Sequence, residues 1–135
     1  MSEKKKRNDY TIKDSGERKV FETGAVRDVQ TGKGRFDLIP WAVIRALAIH
    51  YEKGAIKYGD NNWKKGIPVS RFLDSATRHL ACVIDGKNDE NHLISAIWNL
   101  VGVYWTILQI QNRKLPKELY DIKDKVILPD PYAQK

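Results

Sequence analysis

"HLISAIWNLVGVYWTILQIQ" (His92–Gln111) is apolar on almost every side, and this stretch decides the fold. A helix of that composition needs packing partners around its whole circumference. The sequence predicts a third helix from about Asp89 to Leu115, where Pro116 ends it. Two shorter helices and a loop can hardly cover such a surface, so we expect this helix to pack also against another copy of the chain.

Four polar side chains lie along one line of this helix, at spacings of three, four and seven residues: His92, Ser95, Asn99 and Thr106. Buried polar groups need partners, so the line faces either other polar side chains or a ligand, and the spacing favours neither. A membrane-spanning helix is the competing interpretation. His92, Ser95, Asn99 and the pair Gln109 and Gln111 weigh against it, because polar groups inside a membrane are costly.

A first helix is predicted to begin near Pro40, with Asp37 as its cap, and to fray near Gly59. The preceding stretch, Glu17–Pro40, has three glycines and little periodicity. Its scattered apolar residues indicate an ordered loop with one short strand at Lys19–Glu22.

A second helix is predicted after Pro68, with Ser70 as its cap and Gly86 as its C-terminal stop. The tail adds a short extended segment at Val126–Leu128, which we expect to lie on a neighbouring copy. The predicted fold is therefore all-α, a three-helix core with an ordered N-terminal loop arm, assembled as a homo-oligomer.

The expected organisation is a flexible basic N-terminus at residues 1–18, a helical nucleotide-binding domain at 19–115 and a C-terminal tail at 116–135. The formal net charge of +7 suits a polyphosphate ligand as well as nucleic acid, and no groove-length array of basic and aromatic residues favours nucleic acid. Cys82 is the single cysteine, which excludes an internal disulfide and a cysteine-based metal site. No signal peptide is evident, so we expect a cytoplasmic protein with no membrane partner.

A loop rich in amides, aromatic rings and lysines follows the first helix, within Tyr51–Gly66. A solvated loop with Trp63 folded back on the core is the simplest interpretation. The alternative is a nucleotide pocket, because rings, amides and cations suit base, sugar and phosphates. Its expected members are Lys57, Tyr58, Asn62, Trp63 and Lys65.

A second cationic group lies in "VRDVQTGKGRFD" (Val26–Asp37), where Arg27, Lys33 and Arg35 resemble a phosphate grip. The segment is not a Walker A sequence, which needs glycine-lysine-serine or threonine. A charged surface turn would have the same composition.

Carboxylates and histidines accompany the second and third helices. Asp74 and Arg78 are four residues apart, which is typical of a surface ion pair, and His79 follows directly. Asp89 and Glu90 open the third helix, where acids are ordinary caps but can also bind Mg²⁺.

Three segments together resemble the phage and prophage dATP/dGTP diphosphohydrolase N-terminal domain family: "FETGAVRDVQTGKGRFDLIP", "YEKGAIKYGDNNWKKGIPVSRFLDSATRHL" and "DENHLISAIWNL". The likeness covers roughly residues 20–108. The family is described as helical and related to MazG-like nucleotide pyrophosphohydrolases. The resemblance implies a Mg²⁺-dependent enzyme that cuts a purine dNTP between its α and β phosphates, in the host cytoplasm if the gene is a phage's.

The chain lacks the Glu-Glu-x-x-Glu and Glu-x-x-Asp runs of MazG-like enzymes. A non-catalytic phage sponge that sequesters a nucleotide-derived immune signal, with no cofactor, is therefore the alternative function. For the enzyme, the expected catalytic residues are Asp74, His79 and Glu90. The expected ligands of Mg²⁺ or Mn²⁺ are Asp74, Asp89 and Glu90. The expected nucleotide contacts are Arg27, Lys33, Arg35, Lys57, Tyr58, Asn62, Trp63, Lys65, Arg78, His92 and Asn99.

Overall fold

The structure, a computed structural model, describes residues 10–133. The described chain divides into two compact units, residues 10–35 and residues 36–133. It contains three α-helices and one small two-stranded sheet, so the chain is mostly helical. The three predicted helices are confirmed, whereas the small sheet departs from the expected all-α class. Of the predicted flexible N-terminus, residues 1–9 lie outside the described residues.

The sheet is an antiparallel hairpin in the first unit, formed by β1 (Arg18–Val20) and β2 (Val26–Asp28). The sequence predicted only one of these strands. Asp28 ties the hairpin to its flanks, since its carboxylate accepts hydrogen bonds from the Ser15 hydroxyl and, at 3.0 Å, from Lys33 Nζ.

The helical unit consists of α1 (Trp41–Tyr58), α2 (Val69–Ile84) and α3 (His92–Gln111). α2 and α3 pack most extensively, and α1 lies on α3. The α2–α3 approach is close because Gly102 has no side chain: a Cβ there would overlap the Phe72 ring.

The caps of the first two helices differ from the prediction. Pro40, not Asp37, holds the N-cap position of α1, and the proline side chain makes no capping hydrogen bond. Pro68 holds the N-cap position of α2, and Ser70 lies inside its first turn. The Ser70 N–H and hydroxyl instead donate to the Asp121 carboxylate, which comes from the C-terminal tail.

α3 begins and ends inside the predicted range. The Asn91 side chain accepts a hydrogen bond from the Ile94 N–H at 3.1 Å and so fixes His92 as the first helical residue. After Gln111 the chain turns away, with Arg113 at a φ of +57°.

The C-terminal tail completes the core of its own chain. Tyr120 is buried with Val69 and Ile107, and Leu128 packs against this cluster. The Gln111 side chain exchanges two hydrogen bonds with the Leu128 backbone, at 2.8 and 3.1 Å. A contact between this tail and a neighbouring copy stays a prediction.

α3 is long and apolar enough to cross a membrane by length and composition, with a mean hydropathy of 1.5 in its most apolar window. The core helix of a soluble protein has the same properties. Leu93, Leu100, Val101 and Tyr104 remain exposed on it. The other two helices therefore leave one side of α3 uncovered, as expected, and oligomerisation through that side stays a prediction.

Candidate functional site

The polar line of α3 is buried, and its members have different neighbours. His92, Ser95, Asn99 and Thr106 are each less than one-tenth exposed. His92 meets other titratable side chains, whereas Asn99 lines a pocket and donates to the Ser95 carbonyl at 2.8 Å. An internal network and a cavity thus both occur along this line.

The pocket has a volume of about 640 Å³ and is bounded by the C-terminal half of α1, the loop after it, α2 and α3. That volume is typical of small-molecule sites. Its aromatic lining residues are Tyr51, Tyr58, Trp63, Phe72 and Trp98. Aromatic side chains from α1, the following loop, α2 and α3 therefore line one pocket, which suits a ligand with a flat apolar part.

The loop reaches the pocket because its backbone turns sharply after α1. Gly59 has a φ of +88°, and Asn61 adopts a left-handed conformation at +59°. A 3-10 turn at Asn62–Lys65 then directs Trp63 inward, where its ring lies edge-on to Trp105 at 4.8 Å. Trp63 both folds onto the core and lines the pocket, so the two interpretations of this loop are compatible.

Tyr58 is the more accessible of the two predicted stacking residues. Its side chain lines the pocket and is 63% exposed. The Lys57 ammonium lies 5.0 Å from the centre of the Tyr58 ring. A base could stack on this exposed ring without any rearrangement of the core.

One face of α2 supplies both arginines of the pocket and one of its carboxylates. Arg71, Asp74, Ser75 and Arg78 line it and recur at helical spacing. Arg78 hydrogen-bonds to Asp74 at 3.4 Å and to Ser75 at 3.2 Å, which confirms the expected surface pair. Arg71 forms no ion pair with any carboxylate of residues 10–133. Its guanidinium is available for an anionic ligand.

A second group of polar side chains lies where the C-terminal half of α2 meets the start of α3. His79 Nδ1 is 2.9 Å from His92 Nδ1, and Glu90 Oε1 is 3.5 and 3.4 Å from these two nitrogens. On its other side, His92 Nε2 is 2.7 Å from Asp89 Oδ1. Within residues 10–133, His79, Glu90 and His92 are the one group of three potential ligands whose donor atoms lie within 4.8 Å of one another.

Burial lowers the pKa of His79, and the charges of His92 and Arg78 lower it further against the opposing effect of Glu90. The hydrogen bond from His92 lowers the pKa of Asp89. The third histidine of the chain, His50, packs against Trp98. Burial lowers the pKa of His50, and the charge of His79 lowers it further by a smaller amount. The neutral imidazole is therefore favoured at His79 and His50.

Residues 23–114 match the family model described as dATP/dGTP diphosphohydrolase, N-terminal. The chain belongs to this family. The resemblance stated from the sequence is confirmed. Neither the comparison with curated proteins nor the comparison with solved structures gave a match.

The matched segment contains the whole pocket of this diphosphohydrolase-family chain. Six predicted site residues line that pocket: Tyr58, Asn62, Trp63, Asp74, Arg78 and Asn99. Six others of the helical unit do not line it: Lys57, Lys65, His79, Asp89, Glu90 and His92. Arg27, Lys33 and Arg35 belong to the first unit, where Lys33 is paired with Asp28.

Several pocket residues were missed by sequence reasoning, Arg71 above all. Its spacing to Asp74 and Arg78 places all three on one helix face, so the helical periodicity contained the signal. Glu52, Asp60 and Asn61 also line the pocket without having been predicted.

Within the described residues, the expected Mg²⁺ ligands Asp74, Asp89 and Glu90 do not form one cluster. Asp89 is hydrogen-bonded to His92, Glu90 lies beside two imidazoles, and Asp74 belongs to the pocket instead. Mg²⁺ prefers oxygen ligands in a near-octahedral arrangement. The gathered donors are two nitrogens and one oxygen, which does not fit a resident Mg²⁺.

Proposed function

We propose that this chain binds a purine deoxynucleoside triphosphate in the 640 Å³ pocket and hydrolyses it between the α and β phosphates. The family description, dATP/dGTP diphosphohydrolase, supports the reaction class. The observation that carries the proposal is the pocket itself, which combines an accessible ring, amide side chains and an unpaired arginine.

Each part of the nucleotide has a matching group in this pocket. The base stacks on Tyr58, and the amides of Asn62 and Asn99 donate to and accept from base or sugar edges. Arg71 binds the phosphates, because a guanidinium offers two parallel donors to phosphate oxygens. Arg78 can do the same when it exchanges Asp74 for the ligand.

The reaction adds one water across a phosphoanhydride bond. The water oxygen bonds to the α phosphorus, the bond from that phosphorus to the bridging oxygen breaks, and pyrophosphate leaves. The products are dNMP and pyrophosphate. Glu52, Asp60 and Asp74 are the pocket carboxylates in a position to accept the proton of the attacking water.

The test is incubation of the full chain with each of the four dNTPs and with cyclic nucleotides, in Mg²⁺ or in Mn²⁺. Chromatography should show dNMP and pyrophosphate from dATP or dGTP. If no triphosphate is cleaved with either metal, the hydrolase proposal fails.

The second candidate is the non-catalytic sponge, and one observation favours it. The pocket carboxylates do not belong to any described cluster of three potential metal ligands. The same experiment identifies this function, because a sponge retains a nucleotide intact and releases it unchanged on heating.

A further inference from the structure

The histidine–carboxylate group between α2 and α3 has a different donor chemistry from the nucleotide pocket. We propose that His79, His92 and Glu90 form a binding site for a borderline transition metal ion of the Zn²⁺ type, with Asp89 holding His92 in place. The proposal rests on the geometry of these four side chains and is independent of the hydrolase function.

The three donor atoms have the spacing that one small metal ion requires. They form a triangle with sides of 2.9, 3.4 and 3.5 Å. Bonds of about 2.0–2.2 Å in a tetrahedral site place ligand atoms roughly 3.3 Å apart. A single point about 2 Å from all three atoms therefore exists beside this triangle.

The contact with Asp89 fixes the tautomer of His92. A carboxylate only accepts hydrogen bonds, so His92 Nε2 carries the proton that is shared with Asp89 at 2.7 Å. In neutral His92 the lone pair then lies on Nδ1, the atom that faces His79 and Glu90. Carboxylate–histidine–metal arrangements use this same relay to orient the ligand.

The two histidines are mostly buried and the glutamate borders solvent, as expected for a metal site with one open coordination position. His92 is 7% exposed and the His79 side chain 16%, so the two nitrogens are held by the helix packing. Glu90 is 55% exposed and borders solvent. Two histidines and one glutamate leave the fourth position of a tetrahedral ion for water or a ligand.

The donor set selects among metals. Two imidazoles and one carboxylate suit Zn²⁺ and its first-row neighbours, whereas Mg²⁺ prefers oxygen donors alone. The simplest alternative is a hydrogen bond from one Nδ1–H to the other Nδ1, with no metal. The two arrangements differ in whether the protein binds Zn²⁺ stoichiometrically.

Calorimetric titration of the tag-free, metal-stripped full chain with ZnCl₂ and with MgCl₂ tests the site. We expect one Zn²⁺ per chain and no comparable Mg²⁺ binding. His79→Gln and Glu90→Gln should each weaken Zn²⁺ binding by tenfold or more, and Glu90→Gln changes a half-exposed side chain that the fold does not need. Asp89→Asn should weaken it by about 10–100-fold, as measured for other residues that orient ligands.

His50→Gln is the matched control, because His50 lies near His79 but outside the triangle. It should leave Zn²⁺ affinity unchanged. Co²⁺ in place of Zn²⁺ should give the strong visible absorption of a four-coordinate ion. The proposal is overturned if the wild-type chain binds no Zn²⁺ or binds Mg²⁺ as tightly as Zn²⁺. It is also overturned if Glu90→Gln leaves Zn²⁺ affinity unchanged, or if His50→Gln weakens it as much as His79→Gln does. A Co²⁺ spectrum typical of an octahedral ion would likewise overturn it.

Discussion

Arg71 is the residue on which nucleotide affinity depends most directly under the proposed function. Replacing it by glutamine removes a charged donor from the pocket and leaves the helix surface otherwise intact. A hydrogen bond to a charged group contributes about 1.5–3 kcal/mol, so the Kd for dGTP or dATP should rise about 10–100-fold. Calorimetric titration with a non-hydrolysable dNTP analogue measures the change.

Arg45→Gln serves as the matched control for this experiment. Arg45 is an exposed arginine of α1 that does not line the pocket. It removes the same charge from the whole molecule and should change affinity little. An equal loss of affinity in both variants would show that only the net charge matters and that Arg71 does not contact the ligand.

Thr106 gives a second prediction at this scale. It is fully buried, and its hydroxyl has no hydrogen-bond partner among residues 10–133. Valine has nearly the same shape without the unsatisfied group, so Thr106→Val should stabilise the protein by about 1 kcal/mol. A thermal melt should show a higher Tm.

Thr77→Val is the control for that change. The Thr77 hydroxyl donates to the Leu73 carbonyl at 2.8 Å and is exposed to water. Its loss should leave Tm almost unchanged. If Thr106→Val lowers Tm instead, the Thr106 hydroxyl has a hydrogen-bond partner in solution. Water would then reach this buried position on α3.

Among the elements, the β1–β2 hairpin should depend on pH through Asp28. Hydrogen bonds from Ser15 and then Lys33 lower the pKa of Asp28 from 3.8 to about 2. A depressed carboxyl pKa stabilises the folded form above the unfolded pKa, and this contribution is lost as pH falls through the folded one. The hairpin should therefore loosen between about pH 4 and pH 2.

Carboxyl NMR titration of Asp28 measures this directly, beside the amide signals of both strands. Ser15→Ala should raise the Asp28 pKa more than Lys33→Gln does, because the Ser15 hydroxyl has the larger effect. An Asp28 that titrates near 3.8 in the wild-type chain would contradict the observed contacts.

The sequence predicted the three helices well because each has a long apolar face at helical spacing. It missed β2 and shifted β1 toward Glu22, because strands of three residues with mainly exposed side chains show little alternation. The predicted α3 began too early, because Asn91, the actual cap, follows other polar residues that could equally cap a helix.

The sequence predicted those parts of the candidate site whose residues are close together along the chain. Tyr58, Asn62 and Trp63 lie within six consecutive residues, at the end of α1 and in the loop after it, so their proximity follows from the sequence alone. The His79–His92 pairing could not be predicted, because the two residues are on different helices and meet only through the packing of α2 on α3. Glu90 meets these two histidines, whereas Asp74, which was expected to share a Mg²⁺ ion with it, lines the pocket.

For the whole molecule, the exposed side of α3 predicts self-association. Ile97, Leu100, Val101, Tyr104, Trp105 and Leu108 form an almost entirely apolar hollow there. Covering this surface with a second copy removes it from water, which is the main driving force of association. Light scattering should show a dimer or larger assembly at micromolar concentration.

Leu100→Glu tests this surface without disturbing the monomer, because Leu100 is already 52% exposed. A buried unpaired charge opposes association strongly, so the variant should be monomeric with unchanged helical circular dichroism. Lys114→Glu, an exposed charge change beyond the end of α3, is the control and should leave the assembly intact. A monomeric wild-type chain would remove the basis for this prediction.

The bond between Ser70 and Asp121 has a consequence for the order in which the molecule is made. The start of α2 obtains its hydrogen-bond acceptor from a residue fifty-one positions later, and the core around Val69 needs Tyr120. During synthesis, the residues of all three helices are therefore added before the side chains that complete the second helix. The family match ends at residue 114, so residues outside the matched segment complete the start of α2 and its part of the core.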